Sequence, residues 1–483
     1  MKAIKYFIIT GLAAVSISMV SCTKNFSEIN TNPNGSSLAA PEALLAPALY
    51  DVVTKNQTRA LRLTNELMQD HVTTINSDEI HRYVIRPSES DYMWNNWYLQ
   101  LTNFKDMYKG AAILQQKSLM GMALIMDAWV TSLITDLFGD VPYSEANMGK
   151  NNIYTPKFDS QKDIYTSILD KLDTANVYLA ANQALTADQK PLDPLYAGDI
   201  AKWRKFGNSL LLRLLLRVSG KPEMNAGARI KKMVETSPAT YPIFTTNDES
   251  AILRFTTTAP YVSAFNTYRD YDFNGDNGLA EFFINNLKDW GDPRIAKWAA
   301  PVGGQYLGIP SGYASGAVPD RKSYYPAALK DEPLLGNIIN YSEVQFILAE
   351  AAVRGYISGN PKTYYDNGIT NGITLWGYTV PANYLNGTDI MWNAGGSDGS
   401  KLEQIHLQKY YAMFFTDFQQ WNEYRRTGHP VLPIGPGVLN NGKMPARFKY
   451  PVSVQSLNRA NYEAAVAAMG GPDDLNTKMW WNK

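Results

Sequence analysis

The sequence predicts a mainly α fold, a tetratricopeptide-like scaffold of helical hairpins carrying large irregular loops and minor β structure. Three observations predict it. Apolar residues recur at helical spacing over long stretches in both halves of the chain. Successive helical patterns begin at intervals of roughly 27 to 40 residues, the period of helix-hairpin arrays. Between the two sets lies a segment, 239–335, rich in Pro, Gly, Tyr and Asn, with short strand-like pieces such as Ala251-Ile252-Leu253-Arg254-Phe255. The hydrophobic fraction of 45% is enough for a large core, and 45 Lys+Arg balance 45 Asp+Glu. That balance argues against a general basic surface for nucleic acid.

At the N-terminus, Lys2 and Lys5 precede an apolar run from Tyr6 to Val20, too short to span a bilayer. Ser21-Cys22 follows at once, so residues 1–21 read as a lipoprotein signal peptide. Cys22 is the only cysteine, and Met19-Val20-Ser21-Cys22 resembles a lipobox, so Cys22 is the expected site of lipidation. The following polar stretch, with Pro33 and Gly35, makes 22–36 a flexible tether. Residues 37–483 then form a single helical domain.

Pro41 suits the first turn of a helix that continues through Ala43, Leu44, Ala48, Leu49, Val52 and Val53. Helices are expected over 92–117 and 119–138, meeting at Ser118, and over 160–181. The run Leu210-Leu211-Leu212-Arg213-Leu214-Leu215-Leu216 within 199–218, interleaved with Arg204 and Arg217, reads as a buried bundle helix. Later helices are expected over 341–356, 362–376, 401–426 and 453–468, with an irregular segment at 378–400. Arg425 and Arg426 suit the last turn of the 401–426 helix, Gly428 its C′ position, and Pro430 prevents continuation.

Several motifs, taken in order, resemble the SusD/RagB family of outer-membrane nutrient-binding lipoproteins, in its second large subfamily. They are Asn25-Phe26-Ser27-Glu28-Ile29-Asn30-Thr31-Asn32-Pro33-Asn34, Leu137-Phe138-Gly139-Asp140-Val141-Pro142-Tyr143-Ser144-Glu145-Ala146, Asp292-Pro293-Arg294, and Glu350-Ala351-Ala352-Val353-Arg354-Gly355. The most specific is Asp417-Phe418-Gln419-Gln420-Trp421-Asn422-Glu423-Tyr424-Arg425-Arg426-Thr427-Gly428-His429-Pro430, followed by Pro445-Ala446-Arg447-Phe448-Lys449-Tyr450-Pro451 and Trp480-Trp481. The resemblance implies a lipid-anchored outer-membrane protein facing the cell exterior. It would capture nutrient oligomers, foremost an oligosaccharide or polysaccharide, and deliver them to a SusC-like TonB-dependent transporter without catalysis. A peptide or another nutrient in the same lid role is the alternative, followed by a glycoside hydrolase on the same scaffold.

The chain carries 11 Trp, 30 Tyr and 17 Phe, an excess of rings that combine a flat apolar face with a polar edge. Such rings bury the C–H faces of sugars. Candidates in irregular stretches are Tyr83, Tyr92, Trp94, Tyr261, Tyr271, Tyr306, Tyr313, Tyr324, Tyr325, Trp376, Tyr384 and Trp392. The resemblance favours Trp94, Tyr306 and Tyr313, with Tyr92 and Trp392 beside them and Asn95, Arg269, Gln305 and Asp320 as polar partners. Trp129, Trp203 and Trp421 sit in helical patterns and are assigned to the core. No cofactor is required by this reading, but Asp270, Asp272, Asn274, Asp276 and Glu281 fit the spacing of a calcium loop, with Gly275 at its turn. The same residues also read as an Asx-rich turn before a helix. No GxSxG, Walker loop, GxGxxG or HExxH motif occurs.

Overall fold

Helix formation follows local signals that the sequence carries plainly. In the computed structural model, which describes residues 39–76 and 80–483, Ser160, Asp199, Asn340, Asn360 and Ser397 each accept a backbone N–H in the first turn of a helix. These caps satisfy donors that the helix itself leaves open. The longer helices are α1 (Leu45–Arg59), α2 (Ser88–Ile113), α3 (Lys117–Phe138), α4 (Gln161–Ala180), α5 (Ile200–Arg217), α6 (Glu281–Asp289), α7 (Tyr341–Val353), α8 (Pro361–Leu375), α9 (Asp398–Ala412), α10 (Gln419–Thr427) and α11 (Arg459–Met469). The signal peptide, Cys22 and the tether lie outside the described residues; all described residues but Ala39 fall in one unit, Ala40–Lys483.

Consecutive helices pack as hairpins, α2 on α3, α3 on α4, α4 on α5 and α7 on α8, with α5 and α9 joined to α7. Small residues set the spacing. A Cβ on Gly121 of α3 would stand 2.7 Å from Leu179 Cγ of α4, and one on Gly207 of α5 would stand 2.8 Å from Ile125 Cδ1 of α3. Helix α3 is long and apolar enough to cross a membrane, yet nearly all of it is buried inside the domain. Trp129, Trp203 and Trp421 are core residues, as expected. Among the described residues, the paired strands form three two-stranded antiparallel ribbons. They are His71–Thr73 with Asn277–Leu279, Val141–Pro142 with Phe158–Asp159, and Ala251–Ile252 with Asn337–Ile339.

Two expected helices are broken. The 401–426 stretch divides into α9 and α10, because Phe415 and Asp417 adopt left-handed φ values of 58° and 38°. That turn drives Phe414, Phe415 and Phe418 into the core, where Phe414 packs on Trp298 at 4.5 Å. The 453–468 stretch is interrupted at Asn458, between Val452–Leu457 and α11. The expected stop after α10 is present, with Gly428 at φ 77°.

Of the arginines read with the leucine run, Arg213 and Arg217 are buried and ion-paired, while Arg204 is half-buried and bonds Asn176 and the Thr240 carbonyl. Arg213 meets Glu343 of α7 at 2.6 Å, and Arg217 meets Asp136 of α3 at 2.6 Å. A larger network ties α7, α9 and α10 together. Arg426 holds both oxygens of Glu350 at 2.7 Å and Glu423 at 2.7 Å, while Lys409 holds Glu423 at 2.7 Å. Glu350, His406 and Glu423 present ligand-type atoms within 4.8 Å of one another, but Arg426, Lys409 and Arg354 already match the two carboxylate charges. The motifs around Glu350 and Asp417–Pro430 are thus mainly architectural.

Candidate functional site

The C-terminal end of α1 runs on through a π-helical turn, Ala60–Thr64, before a short helix at Asn65–Leu67. Such a turn inserts one residue into the helix and re-aims those after it, a feature common at functional sites. Across from it, Tyr271–Gly275 forms a second π-helical turn, which leads directly into the strand Asn277–Leu279. That strand pairs with His71–Thr73, so the ribbon clamps the two turns against each other. Between them opens a cleft of about 210 Å³, lined by Thr58, Arg59, Arg62, Glu66 and His71 on one side. Phe265, Tyr268, Asp272 and Asp276 line the other side.

Hydrogen bonds hold the walls. Glu89 of α2 accepts from Arg59 at 2.7 Å and Arg62 at 2.9 Å, fixing two guanidinium groups on one carboxylate. Arg59 also lies over the Tyr92 ring, 3.8 Å from its centre. Buried Glu66 accepts the backbone N–H groups of Thr73 and His81 at 3.1 and 3.2 Å. Burial, with His81 nearby, brings the His71 imidazole down to about 3, so it is neutral at physiological pH. Its Nδ1 lies 3.1 Å from the Tyr325 hydroxyl. Tyr268 of the lining is exposed to water, and Tyr271, in the adjoining π-helical turn, is 67% exposed. Fixed polar groups beside accessible tyrosine faces suit a polyhydroxylated ligand.

The rings expected to form one binding face are dispersed. Trp94 lies within α2 rather than before it and is 8% exposed, packed on Tyr98, Phe138, Phe158 and Tyr450. Tyr313 is 5% exposed: its hydroxyl donates to the Thr73 carbonyl at 2.8 Å, and its ring lies 4.4 Å from that of His81. Tyr306 is half-buried against the main core. Trp392 belongs to a satellite cluster with Tyr365 between α8 and α9. Tyr92 supports the cleft from behind through Arg59. Of the remaining candidates, Tyr83, Tyr325, Trp376 and Tyr384 are buried, so most loop aromatics pin their loops to the scaffold. Asn95, Arg269 and Asp320 are exposed, and Gln305 closes a small bridge with Val302.

The calcium-type spacing does not assemble a calcium loop. Asp270 is held by Lys330 at 2.7 Å, and Asp272 by Arg269 at 2.7 Å. Asn274 uses its Nδ2 on the Tyr325 carbonyl at 2.6 Å, and Asn277 enters the ribbon. Glu281 is the exposed first residue of α6. Gly275 is helical rather than sharply turned, and a Cβ there would collide with the Tyr271 ring. Asp270 and Asp272 are thus paired with separate cations and Asn274 is engaged on a backbone carbonyl, which does not fit a shared cation.

Sequence reasoning missed Arg59, Arg62, Glu66 and Tyr268. The signal was available in part: Arg59, Arg62 and Glu66 recur at intervals of three and four within an otherwise apolar pattern, which places charge on one helix face.

Comparison with known proteins bears on this architecture. The family model described as "Starch-binding associating with outer membrane" matches residues 33–451. A SusD homologue from Bacteroides fragilis superposes with a TM-score of 0.80 at 24% identity, over 92% of this chain and 100% of that one. A chitin-binding SusD homologue from Flavobacterium johnsoniae gives 0.79 at 23% identity, over 92% and 98%. A structure named as a chitin-binding protein gives 0.76 at 26% identity, over 92% and 100%. A search of curated proteins found no match. With the family match spanning most of the chain and the helical-hairpin fold shared throughout, the chain belongs to the SusD-like family of nutrient- and glycan-binding proteins.

Proposed function

We propose that the protein is a lipid-anchored outer-membrane lipoprotein that holds glycan oligomers at the cell exterior. It passes them to a SusC-like TonB-dependent transporter and does not cleave them. The observation that carries this reading is the family match over residues 33–451. The α1 cleft supports it, because Tyr268 offers an accessible ring beside fixed arginine and carboxylate groups, with exposed Tyr271 in the adjoining turn. Cys22 supplies the anchor, and the tether leaves the body in water. Two structural neighbours are named as chitin-binding, so oligomers of N-acetylglucosamine are the first ligands to test, ahead of starch fragments.

Isothermal titration of chitin and starch oligomers, with reducing-sugar assay of the same mixtures, tests the proposal. Saturable binding without released reducing ends is expected. Turnover would instead favour the hydrolase reading, and absence of binding to any glycan would overturn glycan capture. Co-purification of a TonB-dependent transporter from native membranes tests the delivery role separately.

A further inference from the structure

A cleft of about 900 Å³ lies elsewhere, among α2, α3, α4 and the segment 143–151. Phe104 and Leu124 give it an apolar floor. A second hollow of about 300 Å³ adjoins it, lined by Trp94, Tyr98, Tyr154 and Leu457. Ala146 and Asn147 line both hollows and form the ridge between them.

The ridge is built rigidly. Asn147 adopts a left-handed φ of 64°, and its Nδ2 donates to the Tyr98 carbonyl and to Thr102 Oγ1, each at 2.8 Å. Its Oδ1 accepts from Lys105 Nζ at 3.3 Å, and the Ala146 carbonyl accepts from the same ammonium at 3.0 Å. Both partners of Lys105 are neutral oxygens. Deeper in the cleft, Lys171 lies 2.6 Å from Asp127 and 4.9 Å from the centre of the Tyr143 ring. Lys171 thus takes the buried Asp127 carboxylate, while Lys105 is held by the two neutral oxygens alone. Burial, with Lys171 and Lys109 nearby, lowers the Lys105 pKa, as expected for a cation lacking a full counter-charge. At the rim, Lys109 pairs with Asp106 at 3.2 Å, and Asp163 and Asp170 of α4 complete the wall. Across the ridge, Tyr154, 74% exposed, lines the smaller hollow together with Trp94.

We propose that this double hollow is a second ligand site, separate from the α1 cleft, which takes a short oligosaccharide containing a sugar acid. One sugar face lies on Tyr154 over the smaller hollow. The chain crosses the Ala146–Asn147 ridge, and a carboxylate reaches Lys105 in the larger one. Asp163 and Asp170 disfavour the higher charge of sulfated chains, so the site selects a uronate-containing chain over a heavily sulfated one.

Calorimetric titration with trigalacturonate, and with neutral maltotriose for comparison, tests the site. Lys105→Gln should weaken trigalacturonate by about tenfold and change maltotriose by less than about twofold. Tyr154→Ala, at an exposed position that folding does not need, should weaken trigalacturonate roughly threefold. Equal affinity of wild type and Lys105→Gln, or no binding of trigalacturonate at millimolar concentration, would overturn the proposal. If Tyr271→Ala rather than Lys105→Gln abolishes trigalacturonate binding, the acid sits in the α1 cleft. The second site then fails while glycan capture stands.

Discussion

Replacing Arg426 with Met probes the charge network that joins α7, α9 and α10. Arg426 is buried and donates to both oxygens of Glu350 and to Glu423. Burial alone would push both carboxyl groups up, but Arg426, together with His406 at Glu350 and with Lys409 and Arg217 at Glu423, holds both well below the ordinary carboxylate range. Removing the guanidinium leaves two buried carboxylates close together, with Arg354, His406, Lys409 and Arg217 only partly compensating. Breaking a buried pair in this way costs about 3–5 kcal/mol. For a unit of roughly 440 residues, an unfolding entropy near 2.1 cal/mol/K per residue amounts to about 0.9 kcal/mol/K, so Tm should fall by roughly 3–5 °C. The sign with pH follows from linkage. In the wild type the two depressed carboxyl groups contribute stability above the unfolded value of about 4.3, and it is lost as pH falls through their lower folded values. Arg426→Met lacks that contribution, so its deficit should be full at neutral pH and shrink in acid. Differential scanning calorimetry from neutral pH into acid reads both quantities. A Tm within about 1 °C of wild type at neutral pH, or a deficit that grows in acid, would refute this account of the network.

Asp417 should behave in the opposite sense. Burial, only partly offset by Arg213 and its hydrogen bonds, raises its carboxyl to about 7, so its stabilising contribution is complete below the unfolded value and lost as pH rises through about 7. Asp417→Asn should therefore gain on the wild type between about pH 4 and 7, and a pH-independent difference in chemical denaturation would contradict that. Trp94→Ala should cost about 3–5 kcal/mol of folding stability, whereas Tyr271→Ala should leave Tm unchanged and weaken chitin-oligomer binding severalfold. The reverse pattern in melting and titration would exchange their roles. Because Asp270 and Asp272 are paired with separate cations, chelator should leave Tm unchanged; a drop abolished by Asp270→Ala would restore the calcium reading. Cys22→Ala should move the protein from the membrane fraction to the soluble or unprocessed fraction, and unchanged fractionation would exclude lipidation there.

The helices α3, α4 and α5 could be placed from the sequence within a few residues, because an amphipathic period, a capping Ser160 or Asp199 and a terminal Gly139 are local signals. The same locality explains why the buried arginines of α5 could be assigned to a packed bundle. Locality also sets the limit. Between α9 and α10, Phe414, Phe415 and Phe418 satisfy a helical apolar pattern, but the core they fill is built by residues far away in sequence, and packing there outweighs helix propensity. The calcium spacing was met in full along the chain, yet Lys330, sixty positions on from Asp270, takes one of its carboxylates. Composition named aromatic rings as the binding chemistry, but a ring's use depends on its exposure. Trp94 and Tyr271 are equally plausible as letters. Phe138, Phe158 and Tyr450 close over the first, while the clamped π turn leaves the second in water, and that difference exists only once the chain has folded.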